Sequence, residues 1–324
     1  MKPHDRSAAG TSVPPQLLFA AMSLIWGLTW IAIKTGVGAV PPLFFAGTRF
    51  VAAGLLLLAW SRIAGGAAGV RKSVQREDWP KLLVATLLMI VATYALLFWG
   101  TRHVASGLAS VINLALTPVA LFGIGLAYRE ERFSSRRALA IAIGIVGLAV
   151  LFRPTGSGRD SAELWGMAAI IGGTVAYCWG SVLSRKLLRL YSPVRLSGIA
   201  TLIGGLALTA IAIAVEPVDR STLMAFASPG VMASWLFLVL FGSLIAFTVY
   251  LRLVRDWGAS RAGLYAFVSP AIAVAVGVVL AGETLRASDF LGMLIMFAAT
   301  GFAMGGAPAP ASFVSSPRAA SGDI

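Results

Sequence analysis

The sequence predicts an all-α integral membrane protein with ten transmembrane helices, arranged as two inverted repeats of five helices each. Three observations lead to this fold: an apolar composition, ten apolar runs of helical length, and an internal repeat at an offset of 152 residues. Hydrophobic residues make up 58% of the 324-residue chain and charged residues only 12%, whereas a soluble domain carries about 25% charged residues. So little charge cannot cover a soluble protein, and we expect the surface to meet lipid.

The apolar runs divide the chain into ten predicted spans. A helix needs about 20 apolar residues to cross a bilayer, and only helices carry such runs across without unpaired backbone groups. The spans are predicted at 15–36, 41–62, 80–100, 104–127, 137–152, 164–184, 196–215, 230–251, 259–281 and 287–305. They form two five-helix units, 15–153 and 164–305, joined by a polar linker at 154–163, with disordered tails expected at 1–14 and 306–324.

Basic residues predict the orientation of these spans, because Lys and Arg are enriched on the cytoplasmic side of membrane proteins. With the N-terminus in the cytoplasm, 19 of the 26 basic residues fall on the cytoplasmic side, six on the opposite side, and one, Arg49, within a span. Both tails are therefore predicted to be cytoplasmic in a multi-pass protein of the inner membrane. The net charge of +13 is explained by this topology, and we expect no nucleic-acid partner.

The two halves of the chain repeat the same features. Pro118 is followed 13 residues later by Glu131, and Pro270 is followed 13 residues later by Glu283. A Trp-Gly pair near the start of each half recurs at the similar offset of 153. Because each half has an odd number of spans, the second half enters the membrane from the opposite side. This is the inverted repeat of many secondary transporters, whose binding site lies between the halves.

The repeated prolines and glutamates have different predicted roles. Pro118 and Pro270 lie within spans, where each removes a backbone hydrogen bond and bends its helix. Their matched positions predict a hinge or a binding site, with ordinary helix bends as the alternative. Glu131 and Glu283 are interpreted as structural charges at the N-terminus of the helix that follows each of them, rather than as substrate contacts.

Arg49 is the one basic residue well inside a predicted span. Burying an arginine at mid-membrane depth costs about 3 kcal/mol or more unless it finds a partner or water. None of the 13 acidic residues lies in the middle of a span. Two roles stay open: Arg49 joins helices through backbone carbonyls, or it receives an anionic group of a substrate.

Polar and aromatic residues within the spans complete the predicted cavity. Asn113 and Tyr265 each lie five residues before one of the matched prolines. Indole and phenol groups at this depth need partners, so we expect in-span aromatics, Trp26 and Trp179 among them, to face inward. Each could pack against its neighbours or line a pocket. The predicted substrate-binding residues are Trp30, Arg49, Tyr94, Asn113, Tyr177 and Tyr265.

Several function classes are excluded or weakened. The single cysteine, Cys178, allows no intrachain disulfide, and the sequence offers no metal cluster, so no cofactor is expected. A carboxylate proton relay is disfavoured because no acidic residue lies mid-span. A membrane enzyme acting on a lipid-linked substrate is the alternative function, and the loop YREERFSSRR is its only candidate cluster. A channel is a third alternative, and the inverted repeat favours a carrier over both.

The motifs together resemble EamA-type members of the drug/metabolite transporter superfamily. The segment LIWGLTWIAIKTGVGAVPPLFFAGTRFVAAGLLLL resembles the opening of that family, and TPVALFGIGLAYREERFSSRR and SPAIAVAVGVVLAGETLRASD resemble its two P…E segments. The matching positions of the opening are Trp26-Gly27, Lys34, Pro41-Pro42 and Arg49. The resemblance implies a ten-helix carrier, not an enzyme, that moves a small molecule by alternating access. Its partners are the bilayer and a substrate, most simply amino-acid-like, and a homodimer stays open.

Overall fold

The computed structural model describes residues 13–67, 73–101, 103–104, 106–152, 161–281 and 287–304. All regular structure in these ranges is helical. The long helices of the described chain are α1 (Pro15–Val37), α2 (Pro42–Ala67), α3 (Arg76–Thr101), α4 (Ser106–Ala127), α5 (Ser135–Phe152), α6 (Ser161–Leu190), α7 (Pro193–Val215), α8 (Pro229–Trp257), α9 (Tyr265–Ala281) and α10 (Ala287–Met304). Short helices at Arg220–Phe226 and Ala259–Ala262 precede α8 and α9.

The predicted class of an all-helical membrane protein is confirmed. Within the described ranges, six helices (α1, α2, α3, α6, α7 and α8) are long and apolar enough to cross a membrane, and shorter apolar helices cover Ile112–Ala127 and Phe290–Met304. Large apolar side chains such as Leu24, Leu55 and Ile63 point outward, as lipid contact requires. The count of ten crossings stays a prediction.

Several helix ends differ from the predicted spans. α6 and α8 continue past their apolar runs, to Leu190 and Trp257. The span predicted at 259–281 is divided, because Gly258 ends α8 with a φ of 92° and a separate turn of helix precedes α9. Most of the predicted linker and tails lies outside the described residues.

The helices of the two halves interdigitate. α1 packs against α8 and α9 of the second half, and α6 packs correspondingly against α3 and α4 of the first half. α2 pairs with α7, and α5 pairs with α10. At the α2–α7 crossing, a Cβ on Gly205 would lie 2.6 Å from the backbone nitrogen of Val51. Glycine therefore lets the two backbones approach closely.

Two ends of this helix bundle can be defined. The termini face is the end at which α1 begins and α10 ends, and the far face is the opposite end. At the far face, the buried carboxylate of Glu216, directly after α7, accepts the backbone N–H groups of Leu43 and Phe44 at 3.0 and 2.9 Å. These are otherwise unpaired donors in the first turn of α2. The second half thus caps a helix of the first.

Glu131 makes the corresponding contact at the termini face. Its carboxylate accepts the Ser260 backbone N–H at 2.9 Å and the Ser260 hydroxyl, and it pairs with Arg137. It therefore lies at a helix N-terminus, but at that of Ala259–Ala262 rather than of α5, which follows it in the chain. Its repeat mate Glu283 lies outside the described residues.

Glu130 extends this arrangement toward α6. Its side chain, 8% exposed, lies 3.5 Å from Arg185 and 3.3 Å from Arg189, both near the end of α6. We call Glu130, Glu131, Arg137, Arg185 and Arg189 the termini-face ion network. It ties the α4–α5 loop to α6 and to the short helix Ala259–Ala262, and so holds the two halves together at this end.

Candidate substrate-binding site

A cavity of about 210 Å³ lies in the middle of the bundle. It is larger than the ~150 Å³ cavity that admits benzene in an engineered protein core, so it has room for one small organic molecule. α1, α2, α3, α4, α6, α8 and α9 line it. Its lining residues are Trp26, Thr29, Ile33, Arg49, Phe50, Met89, Ile90, Thr93, Tyr94, Leu97, Phe98, Asn113, Leu114, Thr117, Tyr177, Gly242, Ser243, Phe247, Tyr265 and Ser269.

The cavity extends from mid-bundle toward the far face. Trp26 lies halfway along α1, whereas Ile33 and Phe98 lie near the far ends of α1 and α3. On the side of the termini face, the cavity ends against buried side chains of α8, among them Tyr250 and Val254, which are both 0% exposed. The termini-face ion network lies beyond them.

Four aromatic side chains, which we call the aromatic floor, form this inner end: Trp26, Tyr177, Tyr250 and Tyr265. The rings of Trp26 and Tyr265 meet edge to face with centroids 4.4 Å apart. Tyr250 packs on the other three at 5.4 to 5.9 Å, and its hydroxyl is bonded to the Ser181 hydroxyl at 2.7 Å. The rings contact one another, so the floor is a packed wall.

Arg49 presents its guanidinium to the same cavity. The residue is 6% exposed, and its Nη2 donates to the Tyr94 hydroxyl at 2.9 Å. The guanidinium carbon lies 4.7 Å from the Phe50 ring centroid and 5.5 Å from that of Tyr94. No described carboxylate pairs with it, and its Nε is inaccessible to water and has no hydrogen-bond partner among the described residues. The hydrogen bond to Tyr94 uses one of the five N–H donors of the guanidinium, so the Nη groups keep donor capacity for a ligand.

Asn113 lies on the α4 side of the cavity. Its amide nitrogen donates to the Thr174 hydroxyl of α6 at 2.9 Å, and the Thr117 hydroxyl donates to its backbone carbonyl at 2.7 Å. The side-chain amide oxygen of Asn113 stays available as an acceptor. Asn113 therefore both joins α4 to α6 and faces the cavity.

Five of the six predicted residues share this cavity: Arg49, Tyr94, Asn113, Tyr177 and Tyr265. The side chain of Trp30 lies outside the described residues, as does that of Lys34. Pro118 and Pro270 are within the continuous helices α4 and α9, and the residue before each, Thr117 or Ser269, lines the cavity.

The inward position expected for Trp179 is wrong. Its side chain is 42% exposed on the outer surface, and its indole N–H donates to the Tyr128 hydroxyl at 2.8 Å. The N–H of Trp26 donates instead to the carbonyl of Gly242 across the bundle, at 3.3 Å. The phenol of Tyr128 thus provides the partner that the sequence argument assumed to be missing on the outside.

Sequence reasoning missed two π-helical segments beside the cavity. They span Leu87–Ala92 in α3 and Leu238–Ala246 in α8, which are the third long helices of the two halves. The 152-residue offset relates the two segments. Residues in or next to them line the cavity, including Ile90, Thr93 and Ser243. Such segments are rare and often mark functional sites.

Comparison with known proteins identifies the family. The model of the EamA-like transporter family matches residues 14–153 and again residues 164–305. An uncharacterized inner membrane transporter of Escherichia coli, YedA, is 32% identical over 285 residues, which cover 86% of this chain and 87% of YedA. The chain belongs to the EamA-like transporter family. The double match indicates duplicated halves.

Other relatives of this EamA-like chain include the uncharacterized transporter YvbV of Bacillus subtilis, 26% identical over 280 residues (86% of this chain, 88% of YvbV). A WAT1-related chloroplastic protein of Arabidopsis thaliana is 25% identical over 284 residues, which cover 85% of this chain and 65% of that protein. A crystal structure of similar fold has a TM-score of 0.76 at 17% identity and covers 90% of this chain and 96% of its own.

Family membership decides between the functions that the sequence left open. The chain is a multi-pass membrane transporter, and the alternative of an enzyme acting on a lipid-linked substrate is set aside. The loop YREERFSSRR, its candidate cluster, carries Glu130 and Glu131, which are engaged in the termini-face ion network.

Proposed function

We propose that this EamA-like transporter carries a small metabolite with an anionic group and an apolar body, of the kind that amino acids exemplify. The observation that carries the proposal is Arg49, a buried cation that faces a central cavity and has no carboxylate partner among the described residues. A guanidinium binds a carboxylate through two parallel hydrogen bonds. The aromatic floor opposite offers an apolar surface for the rest of the substrate.

Transport would proceed by alternating access between two inverted repeats. The matched packing of α1 on α8 and α9, and of α6 on α3 and α4, supports an inverted relation of the halves. The cavity extends toward the far face, while the termini-face ion network closes the other end. Opening the termini face requires that network to separate, with Pro118 and Pro270 as hinges.

The topology belongs to the same proposal. Ten crossings place both termini in the cytoplasm, in keeping with the distribution of basic residues. The two repeats are residues 15–153 and 164–305, and the linker 154–163 lies on the external side of the membrane. The far face, toward which the cavity extends, is then the external side.

A ligand screen by thermal unfolding of the purified protein tests the site. A ligand that binds only the folded state raises the melting temperature, and the rise grows with the ratio of the ligand concentration to its Kd. Arg49→Lys keeps the charge but loses the planar fork. We expect ligands found with the unaltered protein to bind Arg49→Lys about tenfold more weakly, a difference of about 1.4 kcal/mol.

Arg62→Lys is the matched control, because Arg62 is an exposed arginine further along α2. It should leave ligand binding unchanged. If the two lysine variants bind the ligands equally well, Arg49 does not hold the substrate and the proposed site is wrong.

A further inference from the structure

We infer that the central cavity selects organic anions without an ammonium group over zwitterions and cations of the same shape. The inference rests on the proposed function and keeps its anionic group and apolar body, but it ranks carboxylates without an ammonium group above the amino acids given there as the example. Its basis is the set of charged groups in the cavity wall. Among the residues whose side chains the structure describes, the lining includes one arginine, Arg49, and no aspartate, glutamate or lysine.

Hydrogen-bond donors for a ligand are concentrated at the Arg49 end of the cavity. Because the Tyr94 oxygen accepts from Arg49 Nη2, the phenol proton of Tyr94 is free to point at a ligand. The other N–H groups on the Nη atoms of Arg49 keep donor capacity, whereas its Nε–H is inaccessible to water and has no partner among the described residues. Arg49 and Tyr94 thus provide adjacent charged and neutral donors, which suit the oxygens of a carboxylate or phosphate group.

The rest of the polar wall offers no charged acceptor for an ammonium group. Four of its hydroxyl protons are directed at backbone carbonyls: Thr29 to Trp26, Thr93 to Leu88, Thr117 to Asn113 and Ser269 to Ser23. The hydroxyl oxygens and the Asn113 amide oxygen keep lone pairs, which are neutral acceptors. They would hold an ammonium group through dipoles alone, without an opposite charge.

The aromatic floor does not replace the missing carboxylate. An aromatic site for a cation needs open ring faces within about 6 Å of the charge. Here the rings of Trp26, Tyr250 and Tyr265 lie 4.4 to 5.9 Å from one another, centroid to centroid. They pack directly against one another, edge to face or tilted, so no cage of open ring faces is left between them for an ammonium group.

Charge balance then decides between otherwise similar ligands. A bound monoanion neutralises Arg49, whereas a bound zwitterion leaves one uncompensated positive charge in a cavity from which it has displaced water. Charges interact more strongly in such surroundings than in bulk water. The ammonium group of a zwitterion also loses its hydration without gaining a counter-charge, so the monoanion should bind more tightly.

Three compounds with the same phenyl-ethyl frame test this inference: 3-phenylpropanoate (anion), phenylalanine (zwitterion) and 2-phenylethylamine (cation). Each is titrated against the full-length protein in detergent near neutral pH, and its thermal stabilisation is measured. We expect 3-phenylpropanoate to half-saturate at a concentration at least about tenfold below that of phenylalanine, and the amine to give no stabilisation. Equal or tighter binding of phenylalanine, stabilisation by the amine, or no response to any of the three would overturn the inference.

A variant that adds a negative charge tests whether charge balance causes the preference for the anion. Asn113→Asp places a carboxylate in the wall at nearly constant shape, and it should reduce the preference for anion over zwitterion about tenfold. An unchanged preference in folded Asn113→Asp would contradict the charge-balance argument. Transport is compared by counterflow in proteoliposomes. If phenylalanine is exchanged faster than 3-phenylpropanoate, the carrier function stands and only the inferred preference for anions is overturned.

Discussion

In the described part of the chain, Arg49 has aromatic and phenolic neighbours at mid-bundle and no counter-ion. The Phe50 and Tyr94 rings lie within cation–π distance of its guanidinium, and each such contact contributes up to about 2 kcal/mol where water is excluded. The hydrogen bond to Tyr94 adds to this. These contacts offset part of the desolvation cost and leave the charge available to a ligand.

At the same scale, the two Trp-Gly pairs provide a matched test of the cavity. Trp26 lines the cavity and donates to Gly242, whereas Trp179 lies on the outer surface. Trp26→Phe removes an indole from the aromatic floor, so we expect it to weaken ligand binding by about tenfold or more. Trp179→Phe should bind ligand normally. Equal effects in the thermal titrations would show that the aromatic floor does not contact the ligand.

At the scale of elements, the paired π-helical segments stand out. A π segment leaves carbonyls without their usual partners, and in α3 the Thr93 hydroxyl fills this need by donating to Leu88 at 2.7 Å. The same hydroxyl lies 3.2 Å from the carbonyl of Gly173 in α6. It therefore joins the segment to a helix of the other half.

Thr93→Val removes both contacts at nearly constant shape, and we expect it to destabilise the protein by about 1 kcal/mol. Thr86→Val is the matched control in the same helix, because the buried Thr86 hydroxyl has no partner. Replacing an unpartnered hydroxyl by a methyl group should be neutral or stabilising. Melting temperatures in detergent compare the two, and an equal loss in both variants would contradict the role given to Thr93.

The termini-face ion network is the second element with a testable role. Glu131→Gln removes the ion pair with Arg137 but keeps the shape of the side chain. Leaving one charge of a buried pair without its partner costs roughly 3–5 kcal/mol, so we expect a lower melting temperature. Glu77→Gln, at an exposed glutamate, should have no effect. An unchanged melting temperature for Glu131→Gln would show that the network does not hold this face together.

At the scale of the whole molecule, the two halves are repeats in sequence but not separate bodies. α1 packs on the second half and α6 on the first, and Glu131 and Glu216 cap helices of the opposite half. A movement that opens one face must therefore shift contacts shared by both halves. This arrangement suits a carrier, in which closing one side accompanies opening the other.

Much of this architecture could be predicted, because apolar length and repeated motifs are local features of the sequence. The helices, and five residues of the cavity, followed from them. The repeat could not place Trp179, because the two Trp-Gly pairs are 153 residues apart whereas the two prolines are 152 residues apart. Trp179 is therefore one residue away from the position that matches Trp26 at the offset of the prolines. A slip of one residue turns a helical side chain by about 100°. The contact between Glu131 and Ser260 could not be predicted either, because it joins residues that are distant in sequence and no local pattern marks it.

Access to the cavity from both sides tests the central claim most directly. In a Cys178→Ala background, Thr29→Cys places a thiol in the cavity wall, and Leu24→Cys places one on the exposed outer face of α1. A membrane-impermeant thiol reagent is applied from each side of oriented vesicles. The account predicts that Thr29→Cys is modified from either side, that ligand slows the reaction, and that Leu24→Cys, facing lipid, is not modified. Modification of Thr29→Cys from one side only, in every ligand condition, would contradict alternating access through this cavity.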